Sequence, residues 1–167
     1  PGTKTTTAAA ARTSTWANTH NINQRDPRET KMSIVVFGSI NMDLIVHCLR
    51  LPAPGETLLG SDFLIAPGGK GANQAVACAR LGAQTYMVGK IGADSFGAAM
   101  LSSLERDGVI TTGIAESSTQ PTGVALITVE ASGENTIVVA PGANGDVSKD
   151  DVARMISLLP HASVSLL

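Results

Sequence analysis

The sequence predicts an α/β fold with a parallel sheet, and three observations carry that prediction. From residue 33 onward, short β-branched runs alternate with helical patterns, an order typical of βαβ units with right-handed crossovers. Hydrophobic residues make up 43% of the 167 residues and charged residues only 16%, which favours buried strands. Seventeen glycines indicate loops in which the backbone itself is shaped for close approach.

The composition also excludes several functional classes. The formal net charge is −2, which argues against a nucleic-acid binder that neutralises phosphates. No run approaches about 18 apolar residues, so no transmembrane helix is predicted. Cys48 and Cys78 lack C-x-x-C spacing, and we expect free thiols in a reducing, cytoplasmic compartment. The three histidines are far apart in the sequence and form no metal-ligand pattern.

Residues 1–31 differ from the rest of the chain. They carry five basic and two acidic residues, whereas 33–167 carry seven basic and twelve acidic ones. Three interpretations stay open: a disordered extension, an artefact of expression or upstream translation, or an organelle transit peptide, which ranks last because no amphipathic arginine helix is evident. Met32 is a natural start, and we expect the folded domain portion to cover 32–167.

The elements of the first half follow from periodicity. Strands are predicted at 33–38 and 44–48, joined by the polar link Asn41-Met42-Asp43. A proline turn at 51–55 precedes an extended segment at 57–66. A helix is predicted over 70–81, with a narrow apolar stripe and Gly82 as a left-handed cap. The stripe consists of Ala72, Ala75, Val76 and Ala79.

The second half continues the alternation with one interruption. Ser148 and Asp151 form a capping box that opens a helix to about residue 159. We expect that helix to bury Val152, Met155, Ile156 and Leu159. The remaining elements are a strand at 84–89, a helix from the Asp94 cap to 107, a strand at 109–114, a hairpin of 122–130 with 135–140, and a buried strand at 162–167. The hairpin interrupts the βα order and is therefore a candidate flap over a site.

The densest glycine motif is Pro67-Gly68-Gly69-Lys70-Gly71-Ala72-Asn73-Gln74. It opens the predicted helix, whose free N–H groups carry partial positive charge and whose glycines let a ligand approach the backbone. It is neither a P-loop nor a dinucleotide fingerprint, because Ser or Thr does not follow the lysine and Gln74 stands where the last glycine belongs. A turn with a helix cap explains Lys70 and Asn73 poorly, so we favour a binding role.

Three further loops are candidates. Asn41 and Asp43 follow the first strand, where open α/β sheets bind ligands, although an Asx turn is the alternative. For the glycine-rich segment 89–97, a βα loop with Asp94 as N-cap is the better interpretation. For Pro141-Gly-Ala-Asn144, a turn and a site role are equally supported.

In chain order these motifs read S-I-N-x-D, G-E-T, P-G-G-K-G-A-N-Q-A with A-x-L-G, and G-x-I-G-x-D-x-F-G. The sequence over 33–167 resembles the ribokinase-like carbohydrate kinases, the PfkB family, and the string from Gly68 to Ala75 is most similar to that of the ribokinases within it. The resemblance implies a three-layer α/β/α sandwich with a mainly parallel sheet and a small β-sheet lid, here incomplete.

The resemblance also implies ATP-dependent phosphorylation of D-ribose at its 5-hydroxyl, with Mg²⁺ and a monovalent cation (K⁺). Asp43 matches the carboxylate that holds the ribose 2- and 3-hydroxyls, with Asn41 as its amide neighbour. Gly68 and Gly69 match the di-glycine hinge under the lid, and Gly69, Lys70 and Asn73 are similar to further sugar contacts. The lid, over 121–144, implies a homodimer in which lid strands pack against those of the partner.

One departure from the family pattern is large. The family's second half supplies the ATP site and a G-A-G-D segment with the catalytic base, and no G-A-G-D occurs in this sequence. We therefore expect the chain to be the amino-terminal, sugar-binding part, with the base beyond Leu167 and no activity alone. The alternatives are a kinase for another sugar or nucleoside, a non-catalytic sugar-binding or dimerisation module, and an incomplete, poorly folded product.

Overall fold

A four-stranded parallel sheet forms the centre of the computed structural model, which describes residues 32–167. The interpretations of 1–31 lie outside the described residues. The strands, in chain order, are β1 (Ser33–Phe37), β2 (Asn41–Cys48), β3 (Asp62–Gly68), β4 (Gln84–Gly92), β5 (Ile110–Ser117), β6 (Gly123–Glu130), β7 (Asn135–Ala140) and β8 (Val164–Leu166). The helices are α1 (Lys70–Arg80), α2 (Ser95–Arg106) and α3 (Lys149–Leu158). The central sheet has the order β5-β4-β1-β8, with all pairs parallel.

The expected three layers are present because β1 is buried on both faces. Ile34 and Val36 pack into the cluster that holds the buried residues of α1 and α2. Val35 points to the opposite face, where it packs with Val88 and with Met155 of α3. Successive residues of a strand face opposite sides, so one apolar run serves both helical layers. The left-handed Gly82 that ends α1 is also confirmed, with φ of 94°.

The second sheet has the order β3-β2-β6-β7, and it contains the predicted hairpin. β6 and β7 pair antiparallel, from Val124 opposite Ala140 to Val129 opposite Asn135. The interpretation of Asn41-Met42-Asp43 as a link between strands was wrong, since β2 begins at Asn41. The reason is that β3 and β6 pair with β2 from this residue onward and satisfy its backbone polar groups on both sides.

The predicted burial at the end of the chain was also wrong in part. Of the four apolar residues predicted to be buried only Met155 is, whereas Val152, Ile156 and Leu159, the residue after α3, are exposed. Val164 of β8 is exposed as well, because β8 pairs with β1 alone and forms the edge of the sheet.

Among residues 32–167, no helix is long and apolar enough to cross a membrane.

A buried ion pair fastens α3 to the central sheet. The predicted capping box is confirmed, with Ser148 N donating to Asp151 Oδ2 at 2.8 Å. The same carboxylate lies 3.1 Å from Lys90 Nζ of β4, and the two side chains are only 2% and 11% exposed. Burial raises the pKa of Asp151, but hydrogen bonds from Ser148, Lys90 and Arg154 outweigh it, so its pKa lies well below the ordinary value.

We predict that Asp151→Ala lowers the free energy of unfolding by about 3 kcal/mol, because it removes the nearer carboxylate from the buried Lys90, whose other carboxylate neighbour, Asp146 Oδ2, lies 3.8 Å away. Urea unfolding monitored by circular dichroism measures the change. Asp150→Ala is the matched control, since Asp150 is an exposed acidic residue in the same first turn. Equal losses in the two variants would show that the buried pair contributes nothing.

The pH dependence has a defined sign. Because folding lowers the pKa of Asp151, its stabilisation is present above the ordinary aspartate pKa and is lost as the pH falls through the lowered folded-state value. The stability difference between the wild type and Asp151→Ala should therefore begin to shrink as the pH falls below the ordinary aspartate pKa and continue to shrink down to the lowered folded-state value.

Candidate functional site

The site is built where α1 begins against the end of β1. A Cβ on Gly71 would lie 2.7 Å from the Cα of Gly38, so two bare backbones meet there. Ser39 then caps the helix from outside: its Oγ accepts from Lys70 N at 3.1 Å and its carbonyl accepts from Ala72 N at 3.1 Å. Gly69, with φ of 95°, has no room for a side chain beside the Ser39 carbonyl. The glycine motif thus places the helix start directly beside β2.

A pocket of about 390 Å³ opens between the start of α1 and the second sheet. Five of the six residues predicted for the site line it: Asn41, Asp43, Gly69, Lys70 and Asn73. The hairpin strands close the other side. The remaining lining residues are Ser39, Ala125, Ile127, Ile137, Val139, Pro141 and Asn144. The structure therefore brings together residues from three separate sequence motifs, with the hairpin beside them as the flap prediction expected.

Gly68 is the sixth predicted residue, and it lies behind Asp43 rather than in the pocket lining. It pairs with Asn41 across β2 and β3, and a Cβ at this position would overlap the Asp43 carboxylate. Gly68 therefore leaves the volume that this carboxylate occupies. Burial raises the pKa of Asp43 above its ordinary value, because leaving water disfavours the charged form.

Two polar residues of the pocket, Ser39 and Asn144, were missed among the predicted site residues. The Asn144 amide donates to Asn41 Oδ1 at 2.7 Å and its Oδ1 accepts from Ile40 N at 2.9 Å. Both residues stood inside motifs already singled out, S-I-N-x-D and P-G-A-N. The sequence does not indicate that the two motifs meet, since they are about a hundred residues apart.

The glycine-rich segment 89–97 has the structural role that was favoured. Asp94 is the N-cap of α2 and accepts from Gly97 N at 2.8 Å. Its other contacts are the backbone N and the hydroxyl of Thr122, each at 2.7 Å. Burial acts against ionisation of Asp94, but these hydrogen bonds outweigh it and lower its pKa. Asp94 thereby ties the start of α2 to the segment that leads into β6.

The pocket combines one carboxylate, three amides, a hydroxyl and an ammonium group within apolar walls. Carboxylate oxygens accept hydrogen bonds and amides both donate and accept, so this set suits a small ligand with several hydroxyls. Among residues 32–167, no group of three or more His, Cys, Asp or Glu side chains could hold a metal ion. We derive no step through the Mg²⁺ or the monovalent cation that the resemblance implies.

The architecture and the pocket define a ribokinase-like α/β protein. Giardia lamblia ribokinase superposes with a TM-score of 0.75 at 37% identity, covering 81% of this chain and 41% of that one. The structure of Arabidopsis thaliana ribokinase complexed with ribose and ATP superposes with a TM-score of 0.68 at 33% identity, covering 81% and 45%.

The family follows from the sequence match. The model of the pfkB family carbohydrate kinases matches residues 31–166, and the chain belongs to that family. The ribokinase of Bacillus subtilis (strain 168) is 51% identical over 116 residues, which are 70% of this chain and 39% of that protein. The chain thus spans about two fifths of the length of this relative.

We predict that the Asp43 carboxyl titrates above the ordinary aspartate pKa and that Asp94 titrates below it, since Asp43 is desolvated and Asp94 is well hydrogen-bonded. Carboxyl ¹³C chemical shifts followed across the acidic range measure both groups in one sample. A ligand that needs the ionised carboxylate should bind less tightly as the pH falls through the raised pKa of Asp43. An Asp43 pKa at or below that of Asp94 would contradict the described environment.

Proposed function

We propose that this chain is the sugar-binding part of an ATP-dependent kinase that phosphorylates D-ribose at its 5-hydroxyl. The observation that carries the proposal is that Asn41 and Asp43 both lie on β2 and both line the pocket. The opposite wall of this pocket is the start of α1, which follows the glycine motif. Family membership supports a carbohydrate as the ligand. The similarity to an Arabidopsis ribokinase complexed with ribose and ATP supports ribose and ATP in particular.

Each residue has a role that follows from its chemistry. The Asp43 carboxylate accepts hydrogen bonds from two neighbouring sugar hydroxyls, and Asn41 adds an amide contact next to it. Lys70 and Asn73, on the first turn of α1, contact further hydroxyls, and Gly69 admits the ring close to the backbone. The apolar side chains of Ile127, Ile137 and Val139 cover the carbon face of the sugar.

Phosphate transfer needs groups that we do not assign within this chain. Deprotonation of a hydroxyl requires a base within hydrogen-bond reach, and transfer requires preorganised donors around the phosphate. The G-A-G-D string that supplies both in the family is absent from the 167 residues. We therefore propose that this chain binds the sugar and that its turnover depends on residues outside it.

We predict that the chain binds D-ribose without nucleotide and forms no ADP from ATP and D-ribose. Isothermal titration calorimetry measures the first, and a coupled ADP assay measures the second. A panel that includes D-fructose, 2-deoxy-D-ribose and adenosine tests the rival substrates of the same family. Tighter binding of another panel member would replace ribose, while ADP formation would contradict the assignment of the base outside the chain.

Asp43→Asn should weaken D-ribose binding at least about tenfold, because it removes a hydrogen bond to a charged group. Asp62→Asn is the matched control on the neighbouring strand, since Asp62 lies outside the pocket and contacts His47. Equal affinities of Asp43→Asn and wild type would remove the observation that carries the proposal.

We also propose that the second sheet forms a homodimer contact. Apolar side chains are exposed on both of its faces: Leu64 and Ile137 on the pocket side, and Ile65 and Val138 on the opposite side. Exposed apolar patches of this kind mark association surfaces. Because the hairpin strands also line the pocket, a partner seated on the sheet would lie close to the bound sugar.

We predict that the chain is a dimer and that a charge on this sheet dissociates it. Leu64→Asp and Ile65→Asp place the charge on opposite faces, and sedimentation equilibrium should show a weakened dimer for at least one of them. Leu81→Asp is the control, since Leu81 is 84% exposed at the end of α1. A monomeric wild type, or a dimer that both sheet variants retain, would contradict the proposal.

A further inference from the structure

The side-chain amide of Asn144 lies at the junction between the hairpin and the pocket. Asn144 belongs to a single 3-10 turn, Gly142–Asp146, which follows β7 directly. Its Nδ2 donates to Asn41 Oδ1 at 2.7 Å, to the Ile40 carbonyl at 3.0 Å and to the Pro141 carbonyl at 3.1 Å. Its Oδ1 accepts from Ile40 N at 2.9 Å. One amide thus contacts both the start of β2 and the end of the hairpin.

The orientation of the Asn144 amide is fixed by the backbone. A backbone N–H can only donate, so the Ile40 N–H must face Oδ1 of Asn144. The NH₂ group of Asn144 must then point toward Asn41, and the two carbonyls of Ile40 and Pro141 favour the same orientation. Ile40 is fully buried, so reversing the amide would leave its N–H unsatisfied at a real cost in free energy.

This orientation determines in turn which atom of Asn41 faces the pocket. Because Asn144 donates, Asn41 must turn its Oδ1 toward it. In the part of the chain that the structure describes, Asn41 Nδ2 makes no hydrogen bond and is not a buried unpaired atom. Asn41 lines the pocket, so its NH₂ group is left open to a ligand. The pocket therefore offers a donor from Asn41 two residues from the acceptor Asp43.

Gly123, the first residue of β6, lies directly beside the hydrogen bond between Asn144 and Asn41. A Cβ at Gly123 would overlap both Asn144 Nδ2 and Asn41 Oδ1 and would lie 2.8 Å from the Pro141 carbonyl. Gly123 pairs with Asn41 across β2 and β6. The hydrogen bond between the two amides therefore requires a glycine at the base of the hairpin.

We propose that Asn144 is the positioning residue that turns the NH₂ group of Asn41 toward the sugar. The inference rests on the proposed function and deepens it: the site selects a vicinal diol. One hydroxyl oxygen of the diol accepts a hydrogen bond from the Asn41 NH₂ group, and the neighbouring hydroxyl donates a hydrogen bond to the Asp43 carboxylate. Asn144 acts through Asn41, and its motif, Pro141-Gly-Ala-Asn144, is equally typical of a simple turn.

A double-mutant cycle on D-ribose affinity tests the proposal. Asn144→Asp keeps the acceptor for Ile40 but removes the donor, so Asn41 turns its NH₂ group away from the pocket. Asn41→Ala should cost about fivefold in the wild type, the value of one neutral hydrogen bond, and almost nothing in the Asn144→Asp background. A purely structural role for Asn144 would leave the full cost of Asn41→Ala in that background and would overturn the proposal.

A second variant tests the same hydrogen bond without a change of charge. Gly123→Ala should weaken D-ribose binding by a similar factor of about five, and it should also abolish the effect of Asn41→Ala. Gly145→Ala is the control, since its nearest neighbour atom is 3.8 Å from the added Cβ. Asn135→Asp, on the exposed start of β7, controls for the charge in Asn144→Asp. Unchanged affinity in Gly123→Ala would count against the proposal.

A spectroscopic measurement separates this inference from the proposed function. A scalar coupling across the hydrogen bond, from Asn144 Nδ2 to the side-chain carbonyl carbon of Asn41, should be detected in the sugar-free wild type and lost in Gly123→Ala. Couplings across the backbone hydrogen bonds of β2 and β6 in the same sample provide the reference. If the coupling is present and D-ribose does not bind, the proposed function fails while the orientation of Asn41 stands. If the reference couplings are detected and the coupling between Asn144 and Asn41 is not, the inference fails.

Discussion

The absence of side chains where β1 meets α1 is the constraint on which the rest of the structure depends. Gly38 and Gly71 let a helix begin in contact with the end of a strand, at a distance that a single methyl group would prevent. The hydrogen bonds from Lys70 and Ala72 to Ser39 become available only at that distance. These hydrogen bonds bring Lys70 and Asn73 to the wall that faces β2. The missing side chains of Gly38 and Gly71 therefore define one side of the pocket.

The opposite side depends on buried polar groups that connect distant elements. Lys90 Nζ donates to the Asp146 carbonyl at 2.7 Å and pairs with Asp151, which holds the 3-10 turn between β4 and α3. Asn144 lies in that turn and contacts β2. The ion pair in the third layer therefore supports the amide geometry of the pocket. A buried carboxylate with unfilled acceptor positions costs free energy. Donors from Ser148, Lys90 and Arg154 fill those positions on Asp151.

Local structure could be predicted from the sequence, and long-range contact could not. The alanine stripe of α1, the hairpin, the Asp94 cap and the glycine motif all have short-range signals. By contrast, the start of β2 at Asn41 depends on pairing with two other strands, and the exposure of Ile156 depends on what covers α3. In the sequence, nothing around Gly123 or Asn144 indicates that either residue contacts Asn41. Their importance arises only because the fold brings both residues to Asn41.

Three aspartates whose surroundings shift their pKa values in different directions show how the structure separates binding from stability. Asp94 and Asp151 are enclosed by backbone and side-chain donors, so folding lowers their pKa values and each holds a helix in place. Asp43 has no hydrogen-bond donor among residues 32–167, and burial alone raises its pKa. Partial burial without protein donors removes some of the water that stabilises this carboxylate in the empty protein. Hydroxyl donors from a ligand would take the place of that water, so the unpaired state of Asp43 itself favours binding.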